Sequence, residues 1–165
     1  MKKSISLIAL MAALSLLLTG CGITQLLEDQ TINYGDLTMT LPGYYQDYSQ
    51  QEFAQNYSFV YGFNDVAIMG LREEITLFTS YGSDLTLEEY AQMVIDGNGL
   101  NCEVETVDGL ITFSFTSENS GQTHAYLAAV YQSARAFWLI QIGCLENNYE
   151  NNREKFINIL KTVNA

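Results

Sequence analysis

Thr123–Cys144, with the sequence THAYLAAVYQSARAFWLIQIGC, decides the fold because it predicts two strands joined by a turn at Gln132–Arg135. Apolar residues occupy both alternating positions of Thr123–Tyr131 and of Ala136–Cys144, so each strand is apolar on both faces. One face carries Tyr126, Ala128, Val130, Phe137 and Leu139, and the other carries Leu127, Ala129, Trp138, Ile140 and Ile142. Strands of this kind lie centrally in a sheet that is covered on both sides.

The chain before this hairpin predicts further strands. Asp36–Leu41 alternates apolar and polar residues, as a half-buried strand does, and Tyr57–Phe63 with Val66–Leu71 predicts a hairpin. Asp108-Gly109 is typical of a type I′ turn. That turn would pair Val107 with Leu110, Val104 with Phe113 and Cys102 with Phe115. A six-residue loop, Ser117–Gln122, would follow, and residues 72–83 fit either a strand or a short helix.

Two helices complete the predicted fold. Thr86 and Glu89 form a capping-box pattern at the start of Leu87–Asp96, whose apolar residues recur at helical spacing. A second helix is predicted from about Asn148 to Val163. The sequence therefore predicts an α+β fold, a mostly antiparallel sheet with helices on both faces.

Length and charge limit the function. The 165 residues, 48% of them apolar, suffice for one domain, predicted over residues 32–165. The net charge is −12, and it becomes −14 if a leader containing Lys2 and Lys3 is removed. Such a charge excludes nucleic-acid binding and polybasic adhesion to anionic lipids.

The first residues predict an export signal. Lys2 and Lys3 precede Ile5–Leu18, an uncharged run that is too short to span a bilayer comfortably. Leu18-Thr19-Gly20-Cys21 resembles the lipobox of bacterial lipoproteins. We therefore expect residues 1–20 to be a signal peptide, Cys21 to carry the acyl chains, and residues 21–31 to tether the domain to the extracytoplasmic face of the cell membrane. The alternative is an ordinary Cys21 inside an uncleaved signal anchor.

Few residues offer catalytic chemistry. His124 is the only histidine, which removes multi-histidine metal sites, and no Walker loop or His-Glu-x-x-His motif occurs. A structural His124 is favoured over a catalytic one because a triad needs partners. Glu103 and Glu105 would form the carboxylate pair of a glycoside hydrolase only if a cleft held both. No metal and no cofactor are expected.

Cys102 and Cys144 remain after lipidation of Cys21 and are candidates for a disulfide. The predicted register favours free thiols instead, because it places the two residues three strands apart and on opposite faces.

Tyr44, Tyr45 and Tyr48 lie in a segment rich in Gln, Asp and Asn, where tyrosine rings can stack on sugars or peptides. The alternative is a loop whose tyrosines cover the core.

The elements together resemble the PsbP-like sandwich over about residues 34–163. The resemblance rests on Leu41-Pro42 closing a strand, Leu85-Thr86-Leu87-Glu88-Glu89-Tyr90-Ala91 opening a helix, Gly109 in a hairpin, and the Tyr126–Cys144 hairpin before a helix with Phe156 and Leu160. It implies a fold used mainly for binding and accessory roles, without a shared catalytic set. We therefore expect a non-catalytic envelope module, anchored in the lipid bilayer, whose partner is an envelope protein or a glycan. A small envelope hydrolase and a structural subunit of an envelope complex are the alternatives.

Overall fold

The computed structural model describes residues 28–81 and 85–165. In this part of the chain the strands are β1 (Gln30–Tyr34), β2 (Leu37–Leu41), β3 (Gln46–Asp47), β4 (Phe59–Phe63), β5 (Val66–Glu74), β6 (Glu105–Val107), β7 (Leu110–Asn119), β8 (Gln122–Gln132) and β9 (Ala136–Leu145). The helices are α1 (Leu87–Asn98), α2 (Glu146–Leu160), and the 3-10 helices Glu52–Ala54 and Ile75–Tyr81.

A seven-stranded antiparallel sheet, in the order β3-β4-β5-β9-β8-β7-β6, forms the centre of the fold. Strands β1 and β2 pair in a separate two-stranded sheet. Helix α1 packs against β7 and β8 on one face, and α2 packs against β8, β9 and β2 on the other. The predicted α+β class, with helices on both faces of a mostly antiparallel sheet, is confirmed.

Strands β8 and β9 separate two buried clusters. The α2-side cluster includes Leu127, Trp138, Ile140, Ile142 and Phe156. The α1-side cluster includes Tyr90, Tyr126, Val130, Phe137 and Leu139. The predicted division of this hairpin between two faces is confirmed, and burying each large apolar side chain contributes about 1.5–3 kcal/mol.

Helix α1 begins at Leu87 as predicted, and it ends at Asn98, two residues later than the predicted Asp96. Thr86 Oγ1 accepts a hydrogen bond from the Glu89 N–H at 3.2 Å, and the Thr86 N–H donates to Glu89 Oε2 at 2.9 Å. Gly99, at φ 63°, ends the helix in the left-handed region.

Helix α2 covers Glu146–Leu160, so the predicted span from Asn148 to Val163 was late at both ends. Leu145 provides no side-chain cap. Instead Asp65, in the β4–β5 turn, accepts hydrogen bonds from Asn148 Nδ2 at 2.8 Å and from the Leu145 N–H at 3.4 Å. The helix therefore starts at a carboxylate that is remote in sequence and that accepts from the N–H of the N-cap residue and from a side-chain amide of the first turn.

The predicted six-residue loop Ser117–Gln122 was wrong. Strands β7 and β8 meet in a two-residue turn, Ser120-Gly121, with φ angles of 52° and 78°, and Asn119 pairs with Gln122. Positive φ at both central residues gives a type I′-like turn, whose twist matches the flanking strands. Polar residues before the turn concealed the strand, because this end of β7 is largely exposed.

The Asp108-Gly109 hairpin is shorter than predicted. Val107 pairs with Leu110 as expected, but pairing ends at Glu105 with Thr112. The expected pairs Val104 with Phe113 and Cys102 with Phe115 are not formed. Cys102 and Val104 instead pack against the α1-side cluster.

Two other boundaries differ from the sequence-based ones. Strand β1 begins at Gln30, so the last two residues of the predicted tether, residues 21–31, belong to the domain. Of residues 72–83, the described part, 72–81, combines both predicted alternatives, because β5 continues to Glu74 and the 3-10 helix Ile75–Tyr81 follows. The last two residues of that range lie outside the described residues.

The β1–β2 turn is held against the main sheet by the Asp36 clasp, formed by Asp36, Ser133, Arg72 and Trp138. The Asp36 carboxylate accepts hydrogen bonds from Ser133 Oγ at 2.5 Å, Arg72 Nε at 3.2 Å and Trp138 Nε1 at 3.2 Å. The hydrogen bonds from Ser133 and Arg72 hold the pKa of Asp36 well below its usual range. The clasp thus joins the two-stranded sheet to β5, β9 and the β8–β9 turn.

Candidate ligand groove

A groove of about 420 Å³ lies between α2 and the β1–β2 sheet. Its helical wall is a polar stripe at spacings of three, four and seven residues, formed by Asn151, Glu154, Lys155 and Asn158. Asp29, Thr40 and Pro42 face this stripe. Because α2 buries its apolar stripe against β8 and β9, the polar stripe is left to line the groove.

Hydrogen bonds fix one end of the groove. Thr162 Oγ1 accepts from the Thr40 N–H at 3.0 Å and lies 2.7 Å from the carbonyl oxygen of Ile159. Thr38 and Asn164 exchange two backbone hydrogen bonds, of 2.8 and 2.9 Å. Strand β2 is therefore fastened to the chain that follows α2, and the two walls keep their separation.

The turn that carries Tyr44 and Tyr45 contacts Lys155, which lines the groove. The Tyr45 N–H donates to the Pro42 carbonyl at 3.1 Å, closing a tight turn. Lys155 Nζ lies 4.8 Å from the ring centroid of Tyr44 and 5.6 Å from that of Tyr45. Attraction between the ammonium group and these rings therefore positions Lys155.

Tyr45 is only 3% exposed, and its hydroxyl has no hydrogen-bond partner among the described residues. Burial, with a smaller effect of Tyr44, raises its pKa. Tyr44 is half-buried against the ring of Phe63, with the ring centroids 4.5 Å apart. Both tyrosines therefore cover the α2-side cluster.

Tyr48 is separate from the other two tyrosines. It packs against the α1-side cluster near Phe53, and its hydroxyl donates to Gln46 Oε1 at 3.0 Å. The structure thus brings Tyr44 and Tyr45 together at Lys155, with Tyr45 buried, and does not bring Tyr48 to them.

His124 is buried at the start of β8, where it pairs with Ser117 on β7 and Leu145 on β9. Its Nδ1 has no hydrogen-bond partner among the described residues. Burial lowers its pKa, and a backbone hydrogen bond at Gln122 and the charge of Asp65 oppose that effect. His124 therefore lies within the packed sheet and outside the groove.

Glu103 and Glu105 are exposed near the edge strand β6. Glu105 pairs with Thr112, five residues along β7 from Ser117, the partner of His124. At about 3.4 Å per residue, that separation is roughly 17 Å. The structure therefore does not bring Glu105 and His124 together in one site.

Cys102 and Cys144 are free thiols, so the alternative of a disulfide between them is not realised. Cys102 packs against the α1-side cluster, whereas Cys144 is buried in the α2-side cluster, on the other face of the sheet. Burial raises the pKa of the Cys144 thiol to about 11, which makes it a poor nucleophile.

Cys21 and the predicted signal peptide, residues 1–20, lie outside the described residues. Within 28–81 and 85–165, no group of three or more His, Cys, Asp or Glu side chains is placed to hold a metal ion. The helices of this same part of the chain are too short or too polar to cross a bilayer.

Solved structures of very different sequence share this architecture. The cyanobacterial PsbP protein CyanoP from Synechocystis sp. PCC 6803 aligns over 90% of this chain and 98% of its own length, with 15% identity and a TM-score of 0.54. The chain has a PsbP-like fold. A mutant of the protein Mog1 aligns over 84% of this chain and 96% of its own length, with 14% identity and a TM-score of 0.52.

A protein from Bacteroides thetaiotaomicron VPI-5482 aligns over 86% of this chain, with 6% identity and a TM-score of 0.54. This chain spans 49% of that protein's length. No protein-family model matches the chain, and neither does any curated protein sequence. At these identities the PsbP-like resemblance establishes the fold alone.

Within the PsbP-like fold, the groove residues Asn151, Glu154, Lys155 and Asn158 were missed by sequence reasoning. Their helical spacing was a usable signal, because it forms one polar stripe inside the predicted helix. The same spacing also describes any solvated helix face. Only the opposite wall, more than 100 residues earlier in the chain, distinguishes the two cases.

Proposed function

We propose that this protein is a lipid-anchored, extracytoplasmic binding module, and that the groove between α2 and the β1–β2 sheet binds a neutral glycan. The observation that carries the proposal is the groove itself, whose two polar walls are held at a fixed separation by Thr162 and Asn164. A preformed polar cleft requires little ordering when its ligand binds.

The chemistry of the lining favours a sugar. The amides of Asn151 and Asn158 each offer donors and acceptors, and the carboxylates of Asp29 and Glu154 accept. Sugar hydroxyls both donate and accept, so they complement such a mixture. Lys155 offsets one of the two carboxylates, and this near balance suits a neutral ligand.

The predicted anchor would place the groove close to the membrane. Cys21 lies eight residues before Asp29, and eight extended residues reach at most about 29 Å. If Cys21 carries acyl chains, the groove samples ligands in the layer next to the bilayer. A glycan of the cell envelope meets this requirement.

Ligand binding is tested with two leucine substitutions at exposed amide residues. Asn158→Leu removes an amide that lines the groove and replaces it with an aliphatic side chain, whereas Gln92→Leu changes an exposed residue of α1 on the opposite face of the sheet. Saturation-transfer NMR measures binding of a neutral N-acetylhexosamine tetrasaccharide, with an uncharged polar peptide as the comparison ligand.

We expect transfer to the tetrasaccharide with the wild type and with Gln92→Leu, and its loss with Asn158→Leu. Transfer that survives in Asn158→Leu, or that occurs only to the peptide, would contradict the glycan groove. Cleavage of the tetrasaccharide during the measurement would favour the hydrolase alternative.

The anchor is tested by Cys21→Ala in the producing cell. Mass spectrometry of the wild type should show an N-terminal acylated cysteine at residue 21, and Cys21→Ala should remain unprocessed. An intact leader on the wild-type protein, or an unmodified thiol at its new N-terminus, would refute lipidation without bearing on the groove.

A further inference from the structure

We propose that the open edge of β7 binds an extended, cationic peptide segment of another protein, which adds to the sheet as an extra strand. This inference is independent of the groove. It rests on the unpaired backbone of β7 and on the charge around it.

Strand β6 leaves most of the outer edge of β7 without a pairing partner. The pairing of β6 with β7 ends at Glu105 and Thr112, while β7 continues to Asn119. Residues 100–104 are not a strand, and they make no backbone hydrogen bond to β7. Beyond Thr112, β7 therefore has no neighbouring strand on this side among the described residues.

Two turns determine which backbone groups point outward. The two-residue turn Ser120-Gly121 makes Asn119 and Gln122 a hydrogen-bonded pair, so every second residue back from Asn119 bonds to β8. The residues between them direct their N–H and C=O groups to the open edge; they are Ser114, Thr116 and Glu118. The turn at Asp108-Gly109 leads to the same alternation, because it makes Val107 and Leu110 a hydrogen-bonded pair on this edge.

The outward-directed residues are accessible. Thr116 and Glu118 are exposed and Ser114 is half-buried. The Ser114 hydroxyl bonds to the Tyr149 hydroxyl at 3.0 Å, which leaves the Ser114 backbone groups for the edge. An extended peptide that pairs with these three residues would make the main-chain hydrogen bonds that characterise strand addition.

The charge around this edge selects a cationic partner. Residues 73–134 contain ten Asp and Glu residues and no Lys or Arg. Three of these acids, Glu103, Glu105 and Glu118, are exposed on or near the edge. Lys161 lies at the far end of the β6–β7 hairpin, where it forms an ion pair with Asp108. Lysines and arginines on an added strand would meet a negative potential along its length.

The same charges disfavour a second copy of this chain as the occupant. Antiparallel self-pairing about Thr116 would align two acidic edges, each belonging to a chain of net charge −12. Like charges brought together across strands are destabilising. The partner is therefore a different protein with a basic extended segment.

The test uses the full-length protein, isotopically labelled and purified in a non-ionic detergent. The probe is an eight-residue peptide that alternates lysine with valine. Two controls are the same peptide with glutamate for lysine, and the lysine peptide with an N-methyl group on every backbone amide, which blocks both of its edges. Amide hydrogen exchange by NMR measures the protection of Ser114, Thr116 and Glu118.

We expect the lysine peptide to protect these three amides, and the glutamate and N-methylated peptides to leave them unprotected. Equal binding of the N-methylated peptide would overturn the proposal, because charge alone would explain it. Absence of protection by the lysine peptide, or equal protection by the glutamate peptide, would overturn it too. Self-association that protects the same amides without peptide would identify a second copy as the occupant and would also refute it.

A pair of variants locates the binding on the protein. Thr116→Pro removes an outward N–H without touching a hydrogen bond to β8, as edge strands tolerate. Thr116→Ala keeps the backbone donor. We expect Thr116→Pro to lower the affinity for the lysine peptide about tenfold, which corresponds to the loss of one to two backbone hydrogen bonds. Thr116→Ala should change that affinity less than about twofold. Equal affinity of the two variants would place the peptide elsewhere.

Discussion

The Asp36 clasp gives the most direct test of how the two sheets are joined. Asp36→Asn preserves the size of the side chain and the oxygen that accepts from Arg72 and Trp138. Its new amide group, however, faces Ser133 Oγ, which already accepts from the N–H groups of Arg135 and Ala136. The variant therefore replaces a charge-assisted hydrogen bond by a contact between two donors.

The expected cost follows from these contacts. A hydrogen bond to a charged group contributes about 1.5–3 kcal/mol, and the Asp36 side chain is 19% exposed, so water screens part of that gain. We expect Asp36→Asn to lower the free energy of unfolding at pH 7 by about 2 kcal/mol. For a chain of this size that loss lowers Tm by about 4–8 °C.

The pH dependence has a defined sign. The pKa of Asp36 is lower in the folded than in the unfolded chain, so its contribution is complete above the unfolded value of about 3.9. The contribution is lost as the pH falls from there through the folded pKa. The difference in stability between wild type and Asp36→Asn should therefore be constant from pH 7 to 5 and should shrink below pH 4.

Urea unfolding followed by Trp138 fluorescence measures this difference, because Trp138 is the only tryptophan and belongs to the clasp. Asp29→Asn is the matched control, since it neutralises an exposed carboxylate outside the clasp. A loss below about 0.5 kcal/mol for Asp36→Asn at pH 7, the range of ordinary surface substitutions, would refute the reasoning. A difference that stays the same from pH 7 to 3 would refute the assigned charge.

Three further substitutions test a close approach in the core, a helix cap and a buried histidine. Gly143→Ala would place a Cβ 2.4 Å from the ring of Tyr126, so urea unfolding should show a loss of about 1–3 kcal/mol; an unchanged midpoint would contradict this close approach. Thr86→Ala removes the acceptor of the Glu89 N–H, which should cost about 1 kcal/mol and speed amide exchange in the first turn of α1. Burial lowers the pKa of His124, so the wild type should lose stability as the pH falls below about 6.5, where the unfolded chain binds the proton more readily. His124→Gln should have a smaller loss between pH 7.5 and 5, and equal losses would disprove the assignment.

The central hairpin was predictable because its pattern is local. In a strand, alternate side chains point to opposite faces, so the division of β8 and β9 between two clusters follows from residue order alone. The start of α1 was predictable for the same reason, since Thr86 and Glu89 cap each other within one turn.

The boundaries that were missed depend on residues outside the element concerned, and in two of the three cases below on residues distant in sequence. Asp65 determines where α2 begins, although it lies about 80 residues before that helix. The polar end of β7 is a strand because it pairs with β8, which its own composition does not reveal. The groove needs both α2 and the β1–β2 sheet, so neither wall alone predicts it.

Helix α2 connects these long-range contacts to the candidate site. Asp65 fixes its first turn, the hydroxyl of Tyr149 bonds to Ser114 on β7, and Thr162 with Asn164 fastens the chain after its last turn to β2. A helix held at three points along its length cannot slide or rotate without breaking hydrogen bonds in different parts of the sheet. The polar stripe that faces the groove is therefore held in place before any ligand arrives, and the binding energy need not be spent on forming the site.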